Sequence, residues 1–130
     1  MEFFNTTHRF KFIAEDNLRY KFLIIFHNSN QFTDREMAQA LGFPDIVVQG
    51  MMSVCFLSEI MTRRFGAGWF CGGKLNVNLV NVLWVNDRLT VRGTEREESR
   101  EGEKTRVFVD VWCEKPDGVK TIVGTASALR

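Results

Sequence analysis

GFPDIVVQGMMSVCFLSEIMTRRF, residues Gly42–Phe65, is the stretch of sequence that decides the fold. From Gly50 onward its apolar side chains cover most of the circumference of a helix, which is typical of a buried helix rather than a surface helix. The stretch is too short and too often interrupted by polar residues to span a bilayer. Because runs of strand character follow it, we expect an α+β fold, with a curled antiparallel sheet wrapped around a central buried helix at about Met51–Phe65.

Length, composition and charge predict one domain over residues 1–130. Hydrophobic residues make up 45% of the chain, enough for a core that needs no cross-links. The formal net charge is +1 and no basic stripe with interleaved aromatic residues occurs, so we expect no nucleic-acid partner. The sequence shows neither an export signal nor a membrane span, and we expect a cytoplasmic protein that does not bind membranes.

The cysteines and histidines argue against a metal centre. Cys55, Cys71 and Cys113 are odd in number, form no CxxC pair and lie among apolar residues, which predicts reduced thiols in the core. His8 and His27 are the only histidines, too few to complete a zinc site. We therefore expect no metal and no cofactor.

The chain ahead of the central helix predicts a strand followed by two helices. His8–Ile13 alternates polar and apolar side chains, as a strand does. Ala14–Phe26 opens with acidic residues and has an apolar side, which favours a helix, although its LIIF end fits a strand equally well. A capping box at Thr33–Glu36 predicts a short helix, Asp34–Leu41, that Gly42 ends.

Beyond the central helix, a glycine-rich segment is predicted to break the chain before a series of strands. Four runs have strand character: Lys74–Val85, Arg88–Thr94, Thr105–Glu114 and Thr121–Leu129. The alternation in the first run slips near Val80–Asn81, which predicts a β-bulge. Turn residues separate consecutive runs, so we expect neighbours to form hairpins, with the charged run Glu95–Lys104 as a solvated tip.

Two motifs beside the central helix indicate a family. GFP-x-x-V-V-x-G-M at Gly42–Met51 precedes the helix, and V-x-D at Val85–Asp87 ends a long strand after it. This order resembles the MaoC-like hydratases and dehydratases, of the (R)-specific enoyl-CoA hydratase type, which are hot-dog fold proteins. The resemblance implies a single hot-dog domain, a homodimer or higher homo-oligomer whose sheets join, and an acyl thioester of coenzyme A or a carrier protein as substrate.

The resemblance also implies that the usual catalytic Asp/His pair has been replaced. Family members carry D-x-N-P-x-H before the small helix and H-G-M at the start of the central one. Counted without a gap, the first motif falls on His27–Phe32, which puts His in the Asp position and Phe in the His position. A one-residue gap instead puts Asn28, Asn30 and Thr33 on the Asp, Asn and His positions. The histidine of H-G-M is Gln49 in this chain.

The polar groups that remain define a candidate site. The resemblance implies that His27 is a relocated general base and that the Gly50 amide, at the positive end of the central helix, donates to a carbonyl oxygen. Gln49 is a third candidate, as an amide that orients substrate; the alternative is a helix N-terminal residue that bonds its own backbone. A turn histidine and a glycine that only allows close packing are the alternatives. The candidate substrate-binding residues are Asn28, Asn30, Phe32 and Met51.

Two functions of different classes follow from the resemblance. The first is an enzyme that acts on an acyl or polyketide-type thioester by altered acid–base chemistry, namely dehydration, isomerisation or cyclisation. The second is a non-catalytic acyl-binding subunit that pairs with an active paralogue. A thioesterase that uses Glu59 on the central helix is a more distant third.

Overall fold

The computed structural model of the protein describes residues 3–9 and 34–130. In these ranges the strands form one antiparallel sheet with the order β1-β3-β4-β5-β2, and the sheet curls around helix α2, as the sequence predicts. The strands are β1 (Phe3–Arg9), β2 (Lys74–Leu79), β3 (Arg88–Glu101), β4 (Lys104–Glu114) and β5 (Lys120–Leu129). The helices are α1 (Arg35–Ala40), α2 (Gly50–Phe65) and α3 (Ala67–Gly72).

Helix α2 places one side in the core and leaves the other side open. Leu57 and Met61 are fully buried against the sheet, where they meet the inward-facing valines of β3 and β4. Met51 is 62% exposed at the first turn, so the prediction of a helix buried all round was wrong on this side. A single sheet covers only one side of a helix, whatever the composition of the other side.

The prediction that all three cysteines lie in the core was correct for one of them. Cys113 on β4 is fully buried, whereas Cys55 and Cys71 are exposed. Cys55 is on the open side of α2, and Cys71 belongs to α3 at the surface. The apolar neighbours of these two thiols in the sequence therefore misled the prediction.

The bulge expected near Val80–Asn81 is present, and it ends β2 earlier than predicted. The amides of Val80 and Asn81 both donate to the carbonyl of Thr121, at 2.9 and 3.4 Å, so two residues oppose one. The chain then leaves the sheet, and Trp84 forms an isolated bridge with Val47. The predicted strand Lys74–Val85 therefore stops at Leu79.

Two of the predicted hairpins are confirmed and one was wrong. β3–β4 and β4–β5 pair through turns in which Gly102 and Gly118 have φ of 65° and 85°. β2 does not pair with β3 but lies beside β5. The turn at Asn86, with φ of 69°, reverses the chain without specifying which strand the chain meets next. β3 also runs on to Glu101, so the charged run is mostly paired strand.

Helix α1 has the predicted end but a different cap. The Asp34 carboxylate caps it by accepting from the amides of Glu36 and Met37, so the helix begins at Arg35. The predicted cap, Thr33, lies outside the described residues. At the other end Gly42 takes φ of 92°, and its amide donates to a carbonyl of the last turn. A glycine in this conformation is a common helix end.

Two of the glycines after α2 end a helix as predicted, because Gly66, with φ of 55°, ends α2 and Gly73 ends α3. Gly68 and Gly72 instead lie within α3. A Cβ atom at Gly68 would lie 1.7 Å from the carbonyl oxygen of Leu129, so the glycine permits direct contact between α3 and β5. Arg106 secures this contact, because its Nη1 donates to the carbonyl of Gly72 at 2.9 Å and to Ser127 Oγ at 3.1 Å. Close packing against Leu129, which sequence periodicity does not report, explains the two glycines within α3.

The N-terminal predictions are met in part. β1 begins at Phe3, ahead of the predicted strand His8–Ile13, and pairs with β3 in the register Phe4 opposite Gly93. The predicted helix Ala14–Phe26 lies outside the described residues. None of the helices that the structure describes has the length and apolarity needed to cross a membrane.

Candidate functional site

A cavity of about 350 Å³ lies where α2 begins and the bulged end of β2 meets the start of β5. Its size is at the small end of the range for ligand pockets, roughly 300–1,000 Å³. The segment that leads into α2 forms one wall, and the residues on either side of the bulge form the other. The described lining residues are Val47, Val48, Gly50, Ser53, Leu79, Val80, Asn81, Val82, Leu83, Thr121 and Ile122.

On the helix side, the cavity reaches the N-terminal end of α2 at Gly50. The residue before it, Gln49, makes no capping hydrogen bond with its side chain. The first amides of a helix lack partners within the helix and carry the positive end of its dipole. A Cβ atom at Gly50 would lie 2.0 Å from Leu79 Cδ2, so only glycine at this position allows the Leu79 side chain to pack so close to the backbone of α2. Close packing at Gly50 is therefore real, and it occurs at the edge of the cavity.

On the sheet side, a second irregularity brings Thr121 into the cavity wall. Cys113 pairs with Ile122 and Glu114 pairs with Lys120, so Thr121 is an extra residue in β5. Side chains alternate between the two faces of a regular strand, but here Thr121 and Ile122 are both buried, at 2% and 1% exposure.

The rim of the cavity is apolar and exposed. Leu79, Val80 and Val82 are 59%, 49% and 40% exposed, although each also lines the cavity. Asn81 keeps this segment in place, because its Nδ2 donates to the carbonyl of Lys120 at 2.7 Å. A group that enters the cavity therefore passes over aliphatic side chains.

The described lining contains hydroxyl, amide and aliphatic groups but no ionisable side chain. It can accommodate an apolar chain and donate hydrogen bonds, but it cannot by itself transfer a proton near neutral pH. Within residues 3–9 and 34–130, no group of three or more His, Cys, Asp or Glu residues is placed to hold a metal ion.

The structure brings one predicted site residue to the cavity and describes two others beside it. Gly50 lines the cavity. Gln49 is exposed next to it, and Met51 is 62% exposed and does not belong to the described lining. The other predicted site residues lie outside the described residues: His27, Asn28, Asn30 and Phe32.

Sequence reasoning missed two buried hydroxyl residues at the cavity, Ser53 and Thr121. The slip in alternation at Val80–Asn81 was the one available signal, because the amides of these two residues share the carbonyl of Thr121. Glu59, the candidate for thioesterase chemistry, does not line the cavity in the described part of the chain, and its carboxylate pairs with Arg63 one turn along α2.

The geometry can be compared with that of known proteins. The structure is similar to the (R)-hydratase PhaJ1 from Pseudomonas aeruginosa, with a TM-score of 0.75 and 15% identity over 98% of this chain and 78% of that one. It is similar to the (R)-hydratase from A. caviae involved in PHA biosynthesis, with a TM-score of 0.71 and 14% identity over 99% and 93% of the two chains.

A third similar structure is the ChsH1–ChsH2 complex from Mycobacterium tuberculosis, with a TM-score of 0.65 and 18% identity over 96% of this chain and 90% of that one. No protein-family model matches the chain, and no curated protein matches it either. Identities this low establish a shared fold and leave the activity to be argued from the site.

Proposed function

We propose that this chain, which has the hot-dog fold of the (R)-hydratases, binds an acyl thioester with its acyl group in the cavity at the start of α2. One observation carries the proposal: an apolar cavity reaches the N-terminal end of α2 at Gly50, where the Gln49 side chain makes no capping hydrogen bond. Aliphatic walls suit an acyl chain, and the helix amides suit the thioester oxygen. Coenzyme A or a carrier protein would present the thioester.

In this proposal the protein is an enzyme of altered acid–base chemistry that dehydrates, isomerises or cyclises its substrate. The Gly50 amide polarises the carbonyl group, which acidifies the α-hydrogens. His27 acts as the base, since an unperturbed histidine has a pKa of about 6.5 and exchanges protons near neutrality. The described cavity wall offers no base of its own, so the proton acceptor has to come from another part of the chain. Gln49 beside the cavity would orient the substrate.

A second function, a non-catalytic acyl-binding subunit that pairs with an active paralogue, is favoured by the same lack of ionisable groups in the described cavity wall. One similar structure, ChsH1–ChsH2, is a complex of two named components.

We also propose a cytoplasmic location, which the three free cysteines support because disulfides are rare in reducing compartments.

Replacing His27 by alanine tests the enzyme proposal. Wild type and His27→Ala are given enoyl, 3-hydroxyacyl and β-keto thioesters of coenzyme A, and turnover is followed by mass spectrometry. Loss of a positioned general base is expected to lower kcat by about 10²–10⁴-fold with a smaller effect on KM. His8→Ala, at the only other histidine, is the matched control and is expected to keep wild-type turnover.

Turnover of no thioester by the wild type, together with co-purification of a second hot-dog chain, would favour the non-catalytic subunit. Equal turnover by wild type and His27→Ala would assign the base to another residue.

A further inference from the structure

Ser53 carries the one hydroxyl of α2 that has no partner in the part of the chain that the structure describes. The other two hydroxyl groups of the helix are both used. Thr62 Oγ1 donates to the carbonyl of Ser58 at 2.8 Å, and Ser58 Oγ accepts from Trp69 Nε1 at 2.9 Å. The Ser53 hydroxyl forms no such bond with the described residues, although the residue is only 3% exposed. Buried polar groups almost always have a hydrogen-bond partner, so this exception calls for a physical reason.

The Ser53 oxygen is open to the cavity at the start of α2. Among the described residues, Thr121 Oγ1 is the only side-chain oxygen or nitrogen that is both fully enclosed and without a partner. The unpartnered oxygen of Ser53 is therefore not enclosed. Because the rest of the residue is buried and the residue lines the cavity, the surface left to this oxygen lies in the cavity.

The geometry of a helix brings this hydroxyl towards the end that Gly50 forms. Each Cα–Cβ bond of an α-helix tilts towards the N-terminus, so the Ser53 side chain lies over the preceding turn. Residues three apart share a face, about 5–6 Å from each other, and both Gly50 and Ser53 line the cavity. Two donors that share one acceptor oxygen at about 2.8 Å each lie at most roughly 5.6 Å apart. One oxygen at the helix end is therefore within reach of both.

The charge balance of the cavity explains why a second donor matters. When a base removes an α-hydrogen of a thioester, the electron pair of the C–H bond moves into the enolate and the carbonyl oxygen becomes negatively charged. The described lining has no cationic side chain, so dipoles have to stabilise this charge. The Gly50 amide is a single donor, whereas preorganised sites for such oxygens combine several donors.

We propose that Ser53 is a catalytic residue whose hydroxyl donates a hydrogen bond to the thioester oxygen beside the Gly50 amide and stabilises the enolate form of the substrate. This inference rests on the proposed function, which supplies the thioester and the base. It names the substrate class as a thioester that carries an α-hydrogen, since the hydroxyl acts on the oxygen that gains charge when this hydrogen leaves.

The apparent pKa of a bound ligand tests the inference and requires no turnover. The α-carbon of 3-oxobutyryl-CoA ionises to an enolate that absorbs in the ultraviolet, and this titration is followed in free solution and with the ligand bound to the full chain. Wild type is expected to lower the pKa of the ligand. Ser53→Ala, which loses one hydrogen bond to a charged oxygen, is expected to raise the bound pKa by about 1–2 relative to wild type. Ser53→Thr, which keeps a hydroxyl, is expected to restore the wild-type value.

Thr62→Val is the matched control, because it removes a hydroxyl from the same helix whose partner lies within α2. It is expected to leave the pKa of the bound ligand at the wild-type value. Alanine is the most favourable residue in a helix, so Ser53→Ala is expected to keep its fold and a Tm no lower than that of wild type. A Tm well below that of wild type would show that the hydroxyl serves the fold, and would overturn the inference.

The outcomes separate the inference from the proposed function. If the ligand binds and Ser53→Ala has the wild-type pKa, or if wild type binds it without lowering its pKa, the inference is overturned and thioester binding stands. If Ser53→Ala and Thr62→Val raise the pKa equally, the change belongs to α2 as a whole, and the inference is again overturned. If calorimetry shows that neither butyryl-CoA nor 3-oxobutyryl-CoA binds wild type, the proposed function fails and the inference fails with it.

Discussion

Burial raises the pKa of the Cys113 thiol from 9.0 to about 12, because the thiolate would lie among apolar side chains on the inner side of β4. Cys55 and Cys71 have the same chemistry and similar neighbours in the sequence, yet both are exposed. Reactivity at the residue scale therefore depends on the environment that the sheet creates and not on the local sequence.

Thiol alkylation tests this difference. Iodoacetamide at about pH 8 is expected to modify Cys55 and Cys71 within minutes and to leave Cys113 unmodified, because only the thiolate is nucleophilic and Cys113 stays protonated and shielded. Mass mapping of the modified peptides provides the measurement. Denatured protein, in which all three cysteines should react, is the control. Modification of Cys113 at the rate of the other two in native protein would contradict its burial.

At the scale of elements, Glu95 of β3 joins the end of α2 to the end of β5. Its Oε1 accepts from Arg64 Nε at 2.9 Å and from Arg130 Nη2 at 2.7 Å. The Arg130 guanidinium also lies over the ring of Phe65, 5.4 Å from its centre. Burial alone would raise the pKa of Glu95, but the hydrogen bonds from the two arginines outweigh burial and lower it below its ordinary value of 4.5.

The depressed pKa of Glu95 predicts a pH-dependent contribution to stability. Because the folded protein holds this carboxylate more tightly ionised than the unfolded chain does, the contribution is present above about pH 4.5 and is lost as the pH falls through the lower folded value. Glu95→Gln is expected to lower the free energy of unfolding by about 1–3 kcal/mol at neutral pH and by much less near pH 3. Urea unfolding across this range measures the difference.

Glu97→Gln is the matched control, since this neighbouring carboxylate is 62% exposed and its pair with Arg96 spans 3.5 Å. Its effect is expected to stay below about 0.5 kcal/mol at every pH. A loss at Glu95→Gln that does not change with pH would show that packing and not charge is responsible.

At the scale of the whole molecule, the sheet ends on β2 in the described part of the chain, and apolar residues follow that strand on the surface. Val80 and Val82 are 49% and 40% exposed, and Phe70 on α3 is 75% exposed. An open strand edge beside apolar residues favours pairing with another chain. We propose a homodimer in which β2 joins the sheet of a second copy.

Sedimentation tests the homodimer. A chain of 15.0 kDa is expected to sediment as a particle of twice that mass. Val80→Asp is expected to give monomers, because it places a charge at the proposed junction. Val119→Asp, at a valine 41% exposed in the β4–β5 turn, is the control and is expected to remain dimeric. A monomeric wild type would contradict the homodimer. A Val80→Asp variant that remains dimeric would place the interface elsewhere.

The sequence by itself determined the central helix, most of the strands, two hairpins and the bulge at Val80–Asn81. Each of these depends on residues close together in the chain, through the period of apolar side chains or the conformational preferences of turn residues. The resemblance predicted the hot-dog fold and drew attention to Gly50, which the structure places at the cavity.

Only the tertiary structure decided that β2 lies beside β5, that Cys55 faces outward and that Thr121 is buried in the cavity wall. These features depend on contacts between distant residues, such as the two amides near Val80 that share the carbonyl of Thr121. Whether a hydroxyl ends in solvent or in a cavity depends on how the sheet closes around the helix. That closure is a property of all the strands together, and no local pattern contains it.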